Sequence, residues 1–237
     1  MRWSSLFVLL FSFSLYSCGQ PKEEEKMGKV IYVMDPHCGW CYGNSPNILA
    51  VYEQFKSQLD FELLVGGMWV GENAPQGGEG FAQFIQDHSP RMEKTTGAYV
   101  SESFYKLSGD SSYVFNSLKP AAAIYLVKQL AGDKSFQFAS AIQTATFAEG
   151  KRLDKLATYL PILKQLDIDQ TVFEERWLSQ NNLQATEQEF IVAGQYASGF
   201  PTLLFQDSTG VQPLASGYFE KEEMVNQIQE IITKKQD

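Results

Sequence analysis

The chain has 237 residues, enough for one large domain or two small ones, and 44% of them are apolar, which is ample for a buried core. The formal net charge is −9, and the positive residues are scattered along the sequence rather than clustered. A protein that binds nucleic-acid phosphates needs a basic patch, so nucleic acid is not expected as a partner.

The first residues have the pattern of a secretory signal peptide. Arg2 supplies a positive charge, and the apolar run from Leu6 to Leu15, too short for a stable membrane anchor, is followed by Ser17 and Cys18. A small residue before a cysteine resembles the lipobox of bacterial lipoproteins. We therefore expect residues 1–17 to be removed and Cys18 to be lipidated. An ordinary signal peptide that ends beside an unrelated cysteine is the alternative.

The segment after Cys18 is polar and charged and has no apolar periodicity, which is typical of a solvated linker. We expect residues 18–28 to form a lipidated N-terminus and a flexible tether, and residues 29–237 to form the folded domain. This arrangement predicts a protein of the cell envelope, on the periplasmic side or the surface of a bacterial membrane. The lipid anchor would be its only contact with that membrane.

The domain begins with an alternation of strand and helix patterns. The β-branched and aromatic run from Lys29 to Met34 predicts a buried strand that ends before Pro36. Apolar residues at three- and four-residue steps predict a helix from Cys41 to about Leu59, and a second short strand follows from Phe61 to Val65. Two strands joined by a helix predict a parallel pair with a right-handed crossover.

The rest of the chain changes from helix to strand once more. Residues 66–80 are rich in glycine and predict a loop, without the spacing of a phosphate-binding loop. Apolar residues recur at helical spacing over residues 81–197 with no fixed repeat, which predicts a helical insertion. Residues 202–205 and 211–216 predict a hairpin, and residues 220–232 a closing helix. The predicted fold class is α/β, in the order β-α-β, a helical insertion, then β-β-α.

Two of the three cysteines, Cys38 and Cys41, lie together at the start of the first predicted helix. The thiolate is the reactive form of cysteine, and the free amide groups at a helix N-terminus favour negative charge. The CxxC spacing therefore predicts a redox couple. Cys38 would react as the exposed sulfur, and Cys41, one turn deeper, would resolve the mixed disulfide.

Three other uses of the cysteine pair compete with this prediction. Half of a zinc site needs two more ligands, and the mature chain offers only His37, beside Cys38, and His88, in a distant helical segment. A structural disulfide would close only a two-residue loop and would remove little chain entropy. A redox fold that has become a binding protein is the third alternative.

Three features of the sequence resemble the thioredoxin superfamily and, within it, the DsbA-like thiol-disulfide oxidoreductases. They are a strand that runs into Cys38-Gly39-Trp40-Cys41 at a helix start, Pro46 within that helix, and Gly199-Phe200-Pro201-Thr202 before the last hairpin. The resemblance implies a thioredoxin-like fold with a DsbA-like helical insertion. It also implies a cis peptide bond before Pro201. In that family the proline at this place helps to hold the substrate backbone, which here implies a substrate contact at Phe200, Pro201 and Thr202.

More narrowly, DPxCxWCYG followed by GFPTL is similar to the FrnE-like branch of predicted protein disulfide isomerases. Relatives of that branch include 2-hydroxychromene-2-carboxylate isomerase and kappa-class glutathione transferase. The Gly39-Trp40 dipeptide departs from the Gly-Pro of thioredoxin and the Pro-His of DsbA, so strong oxidising behaviour does not follow. Trp40 either offers an apolar surface to a substrate or packs against the insertion. We expect His37 at a partly exposed rim of the site rather than as a general base. Trp69 either borders the same groove or packs in the core, and core packing is the expectation.

Together these observations predict a thiol-disulfide oxidoreductase of an exported compartment, acting on protein or small-molecule thiols and disulfides. The Cys38–Cys41 disulfide would be the redox group, with no added cofactor and no metal. The partners would be client proteins or small thiols, and a redox partner that recycles the disulfide. A kappa-type glutathione transferase or isomerase, and a binding lipoprotein with a vestigial redox site, are the alternatives.

Overall fold

A computed structural model describes residues 26–236 of the chain. Its sheet has four strands in the order β2-β1-β3-β4, namely β1 Lys29–Met34, β2 Asp60–Val65, β3 Thr202–Asp207 and β4 Gly210–Ser216. Strands β1 and β2 are parallel, whereas β3 is antiparallel to both β1 and β4. The predicted β-α-β and β-β-α units are therefore confirmed, and they share one sheet.

Helices account for most of the remaining residues that are described. Helix α1 (Gly39–Phe55) connects β1 to β2, and α9 (Lys221–Gln236) follows β4. The helices between β2 and β3 form the predicted insertion and are α2 Glu79–Thr96, α3 Glu102–Ser108, α4 Leu118–Leu130, α5 Ser135–Phe147, α6 Leu156–Gln165, α7 Gln170–Arg176 and α8 Gln180–Tyr196. Within residues 26–236 no helix has the length and apolar character needed to cross a membrane.

The alternation of side chains along β1 divides the core between the two faces of the sheet. Val30, Tyr32 and Met34 belong to the main apolar cluster, together with buried residues of α1 and α9. The intervening residues Ile31 and Val33 pack on the opposite face, where α8 covers the sheet. Helices on both faces of one sheet agree with the predicted α/β class.

A second apolar cluster lies within the insertion, next to the start of α1. Its aromatic members include Phe104, Tyr113, Phe115 and Phe147, and the ring centroids of Tyr113 and Phe115 are 4.4 Å apart. Trp40 packs against both this cluster and the main core. The insertion is thereby joined to the helix that begins with the CxxC motif.

The predicted boundaries differ from the observed ones where local contacts define the ends. Helix α1 begins at Gly39 rather than Cys41, because the Cys38 side chain caps its first turn, and it ends at Phe55. The stretch predicted as a loop contains a short 3-10 helix at Gly71–Asn73. The same stretch packs back on the insertion, since the Gly77 N–H donates to the Tyr113 carbonyl at 2.8 Å.

The signal peptide predicted for residues 1–17 and the lipidation predicted at Cys18 lie outside the described residues and stay predictions. Of the predicted tether, residues 26–28 are described. The Lys26 ammonium group donates to the carbonyls of Lys56 and Ser57, at 2.7 and 2.8 Å. The chain therefore contacts the domain from Lys26 onward.

Candidate active site

Cys38 is the N-cap residue of α1. A turn after β1 directs the chain into the helix, and the Cys38 N–H donates to the Asp35 carbonyl at 3.1 Å. The Cys38 sulfur accepts a hydrogen bond from the Cys41 N–H at 3.3 Å, as a capping side chain does. Amide groups at a helix N-terminus favour negative charge, so this position suits a sulfur that reacts as a thiolate.

Cys41 lies one turn further along α1 and is completely buried. Both cysteines are free thiols in this structure. Burial raises the pKa of the Cys41 thiol well above its ordinary value, because the thiolate would lose its hydration, and the neighbouring Cys38 raises it further. The Cys41 sulfur can therefore react as a thiolate only if the groups packed around it stabilise its negative charge.

The loop before β3 brings Phe200 and Pro201 next to the CxxC motif. Because β3 pairs with β1, this loop lies at the end of β1 from which the chain enters the motif. The Phe200–Pro201 peptide bond is cis, which confirms the predicted cis-proline. The Cys38 thiol donates to the Phe200 carbonyl at 3.6 Å. Thr202 begins β3 and is buried, with its hydroxyl donating to a carbonyl of the same loop at 2.8 Å.

A cavity of about 190 Å³ lies beside Cys38, between α1 and the insertion. Its lining is mostly apolar and aromatic and consists of His37, Cys38, Gly39, Trp40, Met68, Trp69, Phe84, Ile85, His88, Ser89, Met92 and Phe147. Cys38 is only 5% exposed, so the expectation of a sulfur exposed on the protein surface is wrong. The insertion covers the motif, and the cavity is what remains open beside the sulfur.

Each of the two tryptophans that line the cavity is packed against the protein and also offers surface to the cavity, so both alternatives considered from the sequence apply. Trp40 is partly buried, packs against both apolar clusters and lines the cavity. Trp69, expected in the core, is also partly buried, and its ring meets Phe81 edge to face with centroids 5.5 Å apart. Each indole is therefore held by packing and still contributes surface to the cavity.

The expectation that His37 lies at an exposed rim is wrong. His37 is only 4% exposed, and its ring lies 5.5 to 6.4 Å from the rings of Trp69, Tyr113 and Phe115. Burial lowers the pKa of His37 to about 4, and a hydrogen bond with the Asn116 backbone opposes this effect. The imidazole is neutral at pH 7. Its burial depends on aromatic residues distant in sequence, which is why the local pattern did not indicate it.

Asp35 is a buried carboxyl group whose role the local sequence pattern does not indicate. Its Oδ1 accepts from the backbone N–H of His37 at 2.8 Å and from the Ser117 hydroxyl at 3.0 Å. Its Oδ2 accepts from the backbone N–H of Met68 at 2.8 Å. Burial raises the pKa of Asp35 to about 6, and these hydrogen bonds limit the rise. Asp35 thus joins the end of β1 to the loop after β2 and to the start of α4. The sequence feature that could have indicated this role is the position of the aspartate, between a buried strand and a CxxC motif.

No protein-family model and no curated protein matches the sequence. Solved structures do match. One is a proposed protein disulfide isomerase from Nitrosomonas europaea, 22% identical over 89% of this chain and 99% of that chain, with a TM-score of 0.76. The cytosolic disulfide reductase DsbM from Pseudomonas aeruginosa is 25% identical over 87% and 99% of the two chains, with a TM-score of 0.66. A probable DsbA oxidoreductase from Streptomyces coelicolor is 12% identical over 87% and 91%, with a TM-score of 0.61.

These matches extend over the four-stranded sheet and the insertion together, since each covers most of both chains. The chain has a DsbA-like thioredoxin fold. The resemblance stated from the CxxC motif, Pro46 and the loop at Pro201 is therefore confirmed at the level of fold. In this DsbA-like fold the N-terminal cysteine caps α1 and the cis-proline loop lies against its sulfur.

His88 is another residue that the DsbA-like fold brings close to the CxxC motif, because it lines the cavity beside Cys38. The sequence placed it in a distant helical segment, yet α2 folds over the CxxC motif and His88 lines the cavity. Its Nδ1 lies 2.8 Å from the Phe84 carbonyl, and the two rings stack with centroids 4.2 Å apart. Over residues 26–236, no group of three or more His, Cys, Asp and Glu side chains is arranged to hold a metal ion.

Gly66→Ala is expected to disturb the DsbA-like site through the cis-proline loop. The Phe200 ring lies against Gly66, and an added Cβ would stand 2.1 Å from the ring, so the ring and its loop must move. We expect a loss of about 1–3 kcal/mol in the free energy of unfolding and slower exchange at Cys38. Urea unfolding and insulin reduction measure these effects. Gly80→Ala in α2 is the matched control, because its Cβ meets nothing within 4 Å; equal behaviour of the two variants would contradict the prediction.

Proposed function

We propose that the protein is a thiol-disulfide oxidoreductase that uses Cys38 and Cys41 as its redox couple. One observation carries this proposal: the Cys38 sulfur caps α1, contacts the Phe200 carbonyl of the cis-proline loop and lines a cavity, all at once. A disulfide-exchange enzyme needs a nucleophilic sulfur, a surface that holds the client and a second thiol within one helical turn. The likeness to disulfide reductases and isomerases supports the same chemistry.

The proposed reaction has two steps, each of which exchanges one S–S bond for another. In the reducing direction the Cys38 thiolate attacks a client disulfide, forms a mixed disulfide and releases one client thiolate. Cys41 then loses its proton and attacks the Cys38 sulfur, which releases the second client thiolate. The client gains two electrons and the enzyme couple loses two. The oxidising direction is the reverse sequence.

The cis-proline loop is the proposed client contact. The Phe200 carbonyl accepts from the Cys38 thiol at 3.6 Å, and Pro201 and Thr202 follow Phe200 directly in the chain. A client strand laid along this loop would bring its disulfide to Cys38, and its side chains would reach the cavity lined by Trp40 and Trp69. The mostly apolar lining favours client residues with apolar side chains.

The redox group is the Cys38–Cys41 couple itself, so the proposal includes no further cofactor. A separate redox partner returns the couple to its working state. The direction of electron flow follows from the reduction potential of the couple, where 30 mV corresponds to about 1.4 kcal/mol. Equilibration with a glutathione series measures that potential. We further propose that the domain works in an exported compartment and is held at a membrane through lipid on Cys18.

Cys38→Ser tests the proposed function. We expect the parent protein to reduce insulin or to oxidise reduced ribonuclease, and the variant to fall to background, because serine cannot form the mixed disulfide. Cys18→Ser is the matched control, since it removes the remaining cysteine and leaves the couple intact. If parent and Cys38→Ser gave the same rate in both assays, the redox proposal would be wrong and the alternative of a binding lipoprotein would stand.

A glutathione-linked activity is the second candidate function. The observation in its favour is that DsbM has also been solved with glutathione, and that structure is 26% identical over 86% of this chain and 99% of that chain, with a TM-score of 0.64. A kappa-type transferase activates the thiol of glutathione and does not need two protein thiols. Conjugating activity that survives Cys41→Ala would therefore favour the transferase, and its absence would favour disulfide exchange.

A further inference from the structure

The proposed second step places a chemical demand on the core of the protein. Cys41 has to become a thiolate when it attacks Cys38, and it leaves as a thiolate when the reaction runs in reverse. Its side chain is completely buried, and the titratable groups that face it are Cys38, Asp35 and Tyr32. A buried thiolate needs hydrogen-bond donors close to it, since water cannot supply them.

Tyr32 provides a donor at this place. It belongs to the face of β1 that packs on α1, shares the main apolar cluster with Cys41 and is only 3% exposed. Its hydroxyl is buried and makes no well-formed hydrogen bond. The same hydroxyl is close enough to interact with Cys41 and with Asn44, and burial together with the nearby Cys41 raises the pKa of Tyr32 well above its ordinary value. A buried hydroxyl without a well-formed bond is uncommon in a folded protein.

Asn44 limits the directions in which this hydroxyl can donate. Asn44 lies one turn beyond Cys41 on α1 and is completely buried. Its Oδ1 accepts from the Phe219 N–H at 3.3 Å, so its amide NH₂ group is left to face the tyrosine, and that group also has no well-formed hydrogen bond. An NH₂ group that faces the Tyr32 oxygen can only donate to it, which leaves the Tyr32 proton free to point toward the Cys41 sulfur.

We propose that Tyr32 is a catalytic donor that stabilises the Cys41 thiolate during the second step, and that Asn44 is the positioning residue for its hydroxyl. The inference rests on the proposed function. In the step itself Cys41 releases its proton, which passes to solvent, and its thiolate attacks the Cys38 sulfur of the mixed disulfide. The Cys38–Cys41 bond forms, the bond to the client sulfur breaks, and the client thiolate leaves and takes a proton from solvent. The Tyr32 hydroxyl keeps its own proton throughout.

Tyr32→Phe tests the inference in an assay that separates the two steps. An aromatic nitrobenzoate disulfide reacts with Cys38 and releases one coloured thiolate, and Cys41 then releases the second as the enzyme disulfide closes. In stopped flow we expect the first release to be unchanged and the second to be about tenfold slower, the effect of losing one donor to a charged group. The pH midpoint of the second release should also move upward.

Two further variants separate catalysis from packing. Tyr52→Phe is the matched control, because it removes a tyrosine hydroxyl from α1, the helix that carries Cys41. That hydroxyl donates to the Asp133 carbonyl and not to Cys41, so both releases should keep the parent rates. Asn44→Asp keeps the acceptor for the Phe219 N–H and removes the donor, so it should slow the second release as well. Tyr32→Phe in its reduced form should resist urea as well as the parent does, since the hydroxyl makes no well-formed bond there.

An unchanged second release in Tyr32→Phe would overturn the inference, and so would an equal slowing of both releases. The reagent needs no recognition by a client site, so both releases can be followed whether or not insulin or ribonuclease is a substrate. Failure of the inference is therefore distinguishable from failure of the proposed function.

Discussion

Cys41→Ser is expected to stop the protein at the mixed disulfide. Cys38 keeps its position at the start of α1 and its contact with the Phe200 carbonyl, so the first exchange proceeds. Serine cannot attack the Cys38 sulfur, and the client stays covalently attached. We expect turnover of insulin to fall to background while a client complex accumulates. Non-reducing gels and mass spectrometry of the intact adduct measure this complex, and a reducing agent should release it.

Comparison with Cys38→Ser shows which of the two cysteines forms the mixed disulfide with the client. Both variants lose turnover, but only the one that retains Cys38 should trap a client, because Cys41 is completely buried. A complex formed through Cys41 would reverse the assigned order of attack. Full turnover in Cys41→Ser would show that a thiol of the client or of a small molecule resolves the intermediate, and Cys41 would then have no catalytic role.

The strands and the first helix were predictable because each buries an apolar pattern that can be read locally. The run from Lys29 to Met34 is buried almost throughout, and the CxxC motif follows it into α1 as expected. The contact between Cys38 and the Phe200 carbonyl is different, since it joins residues far apart in the chain. Its prediction depended on the family resemblance of the loop at Pro201, and no periodicity of the residues would have supplied it.

The surroundings of the couple were not predictable from local pattern. Helical spacing identified the insertion but did not determine how its helices pack, and that packing buries His37 and brings His88 into the cavity. The role of Asp35 depends on donors from the loop after β2 and from the start of α4, which meet only in the folded chain. The sequence pattern could assign Tyr32 to a buried strand. Its position beside Cys41 depends on how β1 packs against α1, which the local pattern does not determine.

Two buried neighbours of the CxxC motif have opposite effects on stability in acid. The pKa of Asp35 is raised from 3.8 to about 6, so the folded protein holds a proton that the unfolded chain has released, and this contribution to stability is lost as the pH rises. The pKa of His37 is lowered from 6.5 to about 4, so the unfolded chain binds the extra proton and stability increases with pH. At about 1.4 kcal/mol per pKa unit, each contribution is about 3 kcal/mol, and between pH 4 and 6 the two nearly cancel.

Asp35→Asn should therefore reveal the contribution of His37. We expect the free energy of unfolding of the variant, relative to the parent, to rise by about 2 kcal/mol between pH 4 and pH 6, because the full contribution of about 3 kcal/mol is lost only over a wider pH range. The amide oxygen can still accept from the His37 N–H and the Ser117 hydroxyl, whereas the new NH₂ group faces the Met68 N–H. That mismatch lowers stability by an amount that does not change with pH, so the slope is the test. Urea unfolding of the reduced protein, followed by tryptophan fluorescence over this pH range, measures it.

His37→Gln is the matched control because glutamine keeps a side-chain donor for the Asn116 backbone and does not titrate. Its stability relative to the parent should fall by about 3 kcal/mol as the pH rises from 4 to 6.5, opposite in sign to Asp35→Asn. Slopes of the same sign, or two flat profiles, would contradict the assignment of these groups. The double variant should run nearly parallel to the parent over this range, since the two contributions that cancel in the parent are then both absent. Either group alone would make the stability of the site depend steeply on pH in this acidic range, and together they remove most of that dependence.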